Sequence, residues 1–304
     1  MTPATPESAT GSLPEALSEF IKANSGRGLD AVALRIVDAG GGPVITGQVL
    51  TRRQGTDVER LARSHGAQLD IRVVADPHAG LEDGWCDIAV DVLDLWRVPE
   101  RAGEEMGRQT QYMAADGPLR RLGRVGQWVL VQGPDLAMGW AAAADLRDAA
   151  PRSGNPWAEI SRAVEGEACG PAGGQDGATA EALVQRARAE LEVAYVWGGT
   201  THAGFDCSGL MLRMFHDVTG VLLPRHTGDQ RRVGRRVVAG EVATGDLLFA
   251  TPRGQKIGHV LLVTSAHAVL HACRTEQRVI EESFEDNAAR YQPQGWRRPV
   301  SLSR

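Results

Sequence analysis

Long apolar runs are missing from this chain of 304 residues. No stretch of about 18 apolar residues occurs, so hydropathy predicts no membrane-spanning helix. The opening segment, MTPATPESATGSLPEALSEFIKANS, has no basic stretch followed by an apolar one, so no secretory leader is expected and the reading is cytoplasmic. Basic residues are outnumbered, 33 against 38 acidic ones, and the formal charge of −5 offers nucleic acid no cationic footprint. Cysteine is scarce too. Cys86, Cys169, Cys207 and Cys273 form no C-x-x-C pair, which argues against a structural zinc site or a disulfide framework. Three of the four read as incidental thiols. Aromatics make up 5% of the residues and form no stacking stripe.

What is present is ordinary for a globular protein: 42% hydrophobic and 23% charged residues. The length suits two or three small domains. LPEALSEFIKA has helical spacing. DAVALRIV and GPVITGQVL read as strands around the turn-forming glycines 40–42, TDVERLARSHGA as a helix capped by Thr56 or Asp57, and LDIRVVADP as a third strand. That order predicts a small α/β sandwich over residues 12–78, with a topology that resembles a BON-like module. Between 85 and 148 short strand candidates alternate with Gly and Pro turns, as in a small β-barrel. Residues 150–177, rich in Gly, Pro and Ser, read as a linker. The remaining segment, 178–304, opens with the helical ATAEALVQRARAELE and carries the chemistry.

Within it, Gly204-Phe205-Asp206-Cys207-Ser208-Gly209 leads into Leu210, Met211, Met214, Phe215 and Val218 at helical spacing. Cys207 is therefore expected at the start of a buried helix, with Asp206 as its N-cap. The positive end of a helix dipole favours thiolate over thiol, although a charged Asp206 next door opposes it. Downstream, Ile257 to Val263 and Ala268 to Cys273 read as two strands of a hairpin through Thr264-Ser265-Ala266-His267. A turn centred on residue 265 pairs 259 with 271, 261 with 269 and 263 with 267. His259 and His271 would then stand side by side, on the face toward the cysteine helix if the sheet packs there. One imidazole can take the thiol proton while the other orients it. A slip of one residue would turn one ring to the other face. A metal site from the same three residues is a weaker reading, because zinc would require a further spaced ligand pair.

These motifs resemble the NlpC/P60 family of cysteine peptidases: Tyr195-Val196-Trp197-Gly198-Gly199, Phe205-Asp206-Cys207-Ser208-Gly209, Leu223-Pro224-Arg225 with Gln230, Gly245-Asp246-Leu247-Leu248-Phe249 and Gly258-His259-Val260 stand in that family's order. The barrel segment resembles an SH3b domain through Val92 to Pro99, Gln109-Thr110-Gln111, Gly126 to Val129 and Gly139-Trp140-Ala141. The resemblance implies an α+β multidomain chain ending in a papain-like catalytic domain. It implies Cys207 as nucleophile, His259 as base and His271 as the polar third member. Tyr195, Trp197, Asp206, Ser208, Arg225 and Thr227 would line the substrate cleft. The implied reaction is hydrolysis of the γ-D-glutamyl-diamino acid bond in murein peptides, and the domain pairing resembles enzymes that recycle free fragments. In those, a barrel carboxylate meets the peptide's free amine; Asp94, Glu100, Glu104 and Glu105 are the candidates, with Tyr112 packing nearby. His226 could also line the cleft. No cofactor is implied, the partner is the murein peptide, and no oligomeric state is assigned. A binding protein on an idle enzyme fold, or an amidase or acyltransferase using the same thiol, are the competing readings.

Overall fold

The computed structural model describes residues 11–25, 33–38, 40–49, 52–73, 84–97, 102–104, 106–150, 179–253 and 258–302. Glu100, Glu105, Cys169 and all but the first residue of the expected linker lie outside the described residues.

The first unit holds α1 (Leu13–Ser25), β1 (Ala33–Asp38), β2 (Pro43–Val49), α2 (Arg52–Ser64) and β3 (Gln68–Val73). β1 and β2 run antiparallel, whereas β2 and β3 run parallel. A parallel pair needs a crossover, and α2 supplies it. Helix α2 starts at Arg52, not at the expected caps Thr56 or Asp57. At Gly55 the helix comes so close to the sheet that a Cβ would stand 3.1 Å from a Val73 methyl. Leu17, Ile45, Val49, Val58 and Ala62 are buried between helices and sheet.

The second unit is one seven-stranded antiparallel sheet: β4 (Trp85–Ile88), β5 (Val92–Trp96), β6 (Arg108–Met113), β7 (Leu119–Val125), β8 (Trp128–Gln132), β9 (Met138–Ala142) and β10 (Leu146–Asp148). The spatial order is β10-β4-β7-β8-β9-β5-β6. Alternating residues such as Cys86, Ile88, Leu93 and Leu95 point into its core, as a period of two requires.

The third unit contains α3 (Ala180–Arg188), the short hairpin β11 (Thr200–Thr201) and β12 (Gly204–Phe205), α4 (Cys207–Thr219) and α5 (Thr227–Gln230). Its six-stranded antiparallel sheet is built from β13 (Arg235–Val237), β14 (Leu247–Pro252), β15 (His259–Val263), β16 (Ala268–Cys273), β17 (Arg278–Ser283) and β18 (Tyr291–Arg298), in the order β13-β18-β14-β15-β16-β17. Helix α6 (Phe284–Arg290) bridges the last two strands. Leu210, Met211, Met214 and Phe215 of α4 pack with Phe249, Val260, Leu262 and Leu270 on one face of the sheet. The opposite face carries Leu248, Leu261, Val263, Val269 and Tyr291. The chain is thus of mixed α and β type, and among the described residues no helix is long and apolar enough to cross a membrane.

The second and third units are joined by buried polar contacts. Arg213 meets the Asp116 carboxylate through two nitrogens, at 2.8 and 3.0 Å. Thr200 donates its hydroxyl to the Gln111 carbonyl at 2.9 Å, and Arg225 donates to the Thr110 hydroxyl at 2.8 Å. These bonds hold β6 against the start of α4, so the edge of the seven-stranded sheet becomes a wall of the site.

Candidate active site

Cys207 is the first residue of α4, and the Asp206 side chain caps the helix by accepting the Gly209 N–H at 2.7 Å. The other Asp206 oxygen accepts the Gly198 N–H at 3.0 Å and pairs with Arg225 at 2.6 Å. Arg225 also donates to Ser208 at 2.8 Å. Burial alone would raise the Asp206 pKa, but Arg225 and the donated hydrogen bonds outweigh it and hold the carboxyl below its ordinary value. Asp206 is thereby satisfied as an anion in a buried place.

A thiolate at rest is not what this environment favours. Burial, and next the Asp206 charge, push the Cys207 thiol up to about 11, against a Val260 N–H and the Thr227 hydroxyl that pull it down. The opposition expected from Asp206 is present here, and burial adds the larger push in the same direction. The resting group is a thiol, and a base must take its proton.

The histidine hairpin also differs from expectation. Its turn closes through the Thr264 N–H on the Ala268 carbonyl at 3.0 Å, one residue later than a turn centred on 265. The ladder therefore pairs Val263 with Val269 and Leu262 with Leu270, which shifts the register by two and keeps every side chain on its expected face relative to its neighbour. His259 and His271 are diagonal, not opposed, and their Nε2 and Nδ1 atoms are 2.7 Å apart. They do not lie on the face that carries α4. Strand alternation puts them with Leu261, Val269 and Tyr291 on the other side, and the His259 ring stacks on Tyr291 at 4.7 Å. The imidazole and the sulfur line the same cavity, and each begins its element: Cys207 opens α4 and His259 opens β15.

Cys207 and His259 open onto one cavity of about 790 Å³. Tyr195, Trp197, Asp206, Ser208, Arg225 and Thr227 all line it, with the Thr227 hydroxyl 3.8 Å from the Cys207 sulfur. His226 lines it as well and accepts from the Gln109 amide at 2.8 Å; burial first, then Arg225, lowers its pKa to about 4. Tyr112 is the exception. It is 3% exposed in the core of the second unit, its hydroxyl bonds Asp135, and it faces a different cavity beside Pro118 and Leu212. Its position in β6 alternates it inward, away from the cleft. Asp94 is engaged by Arg108 at 2.7 Å and does not line the site, nor does Glu104. Among the described residues the second unit contributes Arg97 and Gln109 to the cavity, with no carboxylate.

Arg97, Arg274 and Glu282 are site residues that the sequence reading did not single out. Arg97 and Arg274 stack over the Trp197 ring at 5.5 and 5.6 Å, and fix that indole at the cavity wall. Glu282 receives His271 Nε2 at 3.0 Å and the Asn287 amide at 2.7 Å. The signal for Glu282 was a carboxylate inside a strand, RVIEES, whose partner strand bears His271. Burial, and after it His271 and Arg290, hold His259 well below the ordinary histidine range; burial and Arg290 lower His271 to about 3. Both rings are neutral at rest. The arrangement offers a thiol nucleophile and a neutral imidazole base in a partly enclosed cavity.

Residues 192–298 match the NlpC/P60 family, and this segment of the chain is an NlpC/P60 domain. The chain is similar to the gamma-D-glutamyl-L-lysine dipeptidyl-peptidase of Bacillus subtilis, 37% identical over 107 residues that cover 34% of this chain and 36% of that protein. It is similar also to the peptidoglycan endopeptidase RipB of Mycobacterium tuberculosis, 37% identical over 33% of this chain and 45% of that one. A solved NlpC/P60 family protein from Bacillus cereus shares 21% identity, with 71% of this chain and 63% of that chain covered and a TM-score of 0.39. The chain thus spans less than half the length of these two curated relatives.

Proposed function

We propose that the chain is a cysteine endopeptidase that hydrolyses the γ-D-glutamyl-diamino acid bond of murein peptides. One observation carries the reading: Cys207 and His259, each the first residue of its element, line a single cavity, and His259 is hydrogen-bonded to the buried His271 behind it. His259 takes the thiol proton as the sulfur attacks the amide carbonyl, forming the S–C bond. The Cys207 peptide N–H, unsatisfied in the first turn of α4, helps to hold the oxyanion. When the C–N bond breaks, imidazolium His259 returns its proton to the leaving amine. Water, deprotonated by the same ring, then releases the γ-glutamyl product and restores the thiol.

The cationic lining suits a peptide with several carboxylates. Arg274 has no carboxylate partner among the described residues, and the only acid of the lining, Asp206, is taken up by Arg225. Trp197 and Tyr195 offer apolar area beside it. Of the second unit, read as an SH3-like module, Arg97 and Gln109 line the cleft beside the third unit's residues, which supports a bounded cleft and action on small free fragments over intact wall. Replacing Cys207 by Ala should abolish release of the diamino acid from L-Ala-γ-D-Glu-diaminopimelate, measured by product chromatography. Turnover by Cys207→Ala would end the proposal. Acetylation of the peptide's amino terminus should lower kcat/KM at least tenfold if the second unit bounds the cleft against longer chains; equal rates would point to wall lysis.

One observation favours a second reading, a peptide-binding protein on an idle enzyme fold: the Cys207 sulfur has the Thr227 hydroxyl as its hydrogen-bond partner, at 3.8 Å, and burial pushes its thiol up. Iodoacetamide separates the two. In a working site alkylation of Cys207 at neutral pH is assisted by His259 and slows in His259→Ala, whereas in an idle one the two proteins react alike.

A further inference from the structure

Glu282, His271 and His259 form a diagonal line across three neighbouring strands, β17, β16 and β15, and each reaches the next by a hydrogen bond of 3.0 or 2.7 Å. The direction of that chain follows from elementary donor and acceptor chemistry. An ionised carboxylate only accepts, so His271 Nε2 carries a hydrogen. A neutral imidazole has one donor nitrogen and one acceptor, so His271 Nδ1 is bare. His259 Nε2, 2.7 Å away, must then donate. The lone pair of His259 is left on Nδ1, the one nitrogen not spent on His271.

Removing the carboxylate would make the opposite arrangement equally acceptable. His271 could then donate from Nδ1, His259 would accept at Nε2, and its proton would sit on Nδ1, leaving no base for the thiol. Glu282 is built to prevent this. Its side chain is 7% exposed and pairs with Arg290, and the Asn287 amide donates to it at 2.7 Å. Asn287 is 2% exposed and set by α6, whose Ser283 cap accepts the Asp286 N–H at 3.0 Å. The charged and titratable groups around the pair come from every neighbouring element: Arg290, itself paired with Glu276, the stacked Tyr291, Cys273 against Tyr291, and Asp206 with Arg225 on the sulfur side.

We propose that Glu282 is a positioning residue that fixes the tautomers of His271 and His259 so that His259 Nδ1 is the basic nitrogen. This rests on the reading of Cys207 and His259 as nucleophile and base. Through the same chain Glu282 also partly compensates the positive charge that His259 acquires when it takes the thiol proton.

The test reads protons directly. In the full chain labelled with 15N-histidine, long-range 1H–15N correlation should show both His259 and His271 protonated at Nε2 and bare at Nδ1. Glu282→Ala should give mixed tautomers, a kcat on the tripeptide about 100-fold lower, the scale that a positioned proton-transfer group contributes, and a KM within about twofold. Its alkylation of Cys207 should begin at higher pH than in the wild type. Glu282→Gln keeps an acceptor oxygen for His271 and should fall between the two. A proton on His271 Nδ1 in the wild type overturns the proposal, and so do unchanged tautomers and kcat in Glu282→Ala. If that variant does not fold, the wild-type tautomers and Glu282→Gln decide. The tautomers need no substrate, so failure of the peptidase reading, seen as turnover by Cys207→Ala, is distinguishable from failure of this one.

Discussion

Arg225 is 1% exposed, yet its guanidinium has five hydrogen-bond donors to satisfy. Asp206, Ser208 and Thr110 take four of them, with one bidentate pair to Asp206. Burial would lower its pKa, and the Asp206 carboxylate outweighs that and raises it. A buried ion pair contributes little net stability, but breaking it strands a charge. Arg225→Leu should therefore cost about 3–5 kcal/mol in urea unfolding. Asp206→Asn should cost less, since an amide still caps α4 and accepts from Gly198, and the double variant should fall well short of the sum. Additive losses would show that the two residues act separately. This pair was legible only as two motif letters, D in D-C-S-G and R in L-P-R. Nothing in residue spacing says that they touch; the tertiary fold brings them within 2.6 Å.

At the scale of elements, the tip of α4 is set by a backbone crossing. A Cβ on Gly209 would collide with the carbonyl oxygen of Gly199. In an exposed helix interior Gly→Ala stabilises by about 1 kcal/mol. Gly209→Ala should instead destabilise, because the obstacle is backbone from the loop that carries Trp197, and kcat should fall as Cys207 moves with its helix. A variant with raised thermal stability and unchanged kcat would refute this. The second terminus needs its glycine for another reason: Gly220 ends α4 at φ 70°, where its N–H returns to the His216 carbonyl at 2.9 Å. The cap, the helical run and the terminal glycine of α4 are all visible in sequence. The hairpin was visible as two strands with histidines of matching parity, but its register depends on how the turn closes, and that is a property of the backbone in place. A shift of two spared the prediction that the rings meet, since parity survives an even slip.

For the whole molecule, the buried neutral histidines make stability depend on pH. His271 has a folded pKa of about 3 and an ordinary unfolded value near 6.5. Below about 6.5 the unfolded chain binds a proton that the native state refuses, so stability rises with pH between about 3 and 6.5 and is lost as pH falls through that window. His259, lowered in the same direction, adds to it. Asp206, held below its ordinary value, works in the same sense: its contribution is present above the unfolded carboxylate range and disappears as pH drops through the folded value. The unfolding free energy from urea titration should therefore fall steadily from pH 7 to pH 4, by on the order of 1.4 kcal/mol for each fully expressed pKa unit. In His271→Asn the slope should flatten. A flat wild-type profile would mean that the rings are charged or solvated in the native state.

The amino-acid order alone determined the elements that bear chemistry: a capped helix beginning at Cys207, strands bearing His259 and His271, and motifs dense enough to indicate the family over residues 192–298. It did so because caps, periodicity and parity are local, set within a few residues along the chain. Which groups share the cavity was decided by tertiary structure. That Arg97 and Gln109 arrive from a separate sheet, that Tyr112 turns inward to Asp135, that the rings sit on the sheet face away from α4, and that Glu282 stands behind them are consequences of how strands and domains pack. Such contacts join residues tens of positions apart, where burial and hydrogen-bond satisfaction select the partner and local sequence does not.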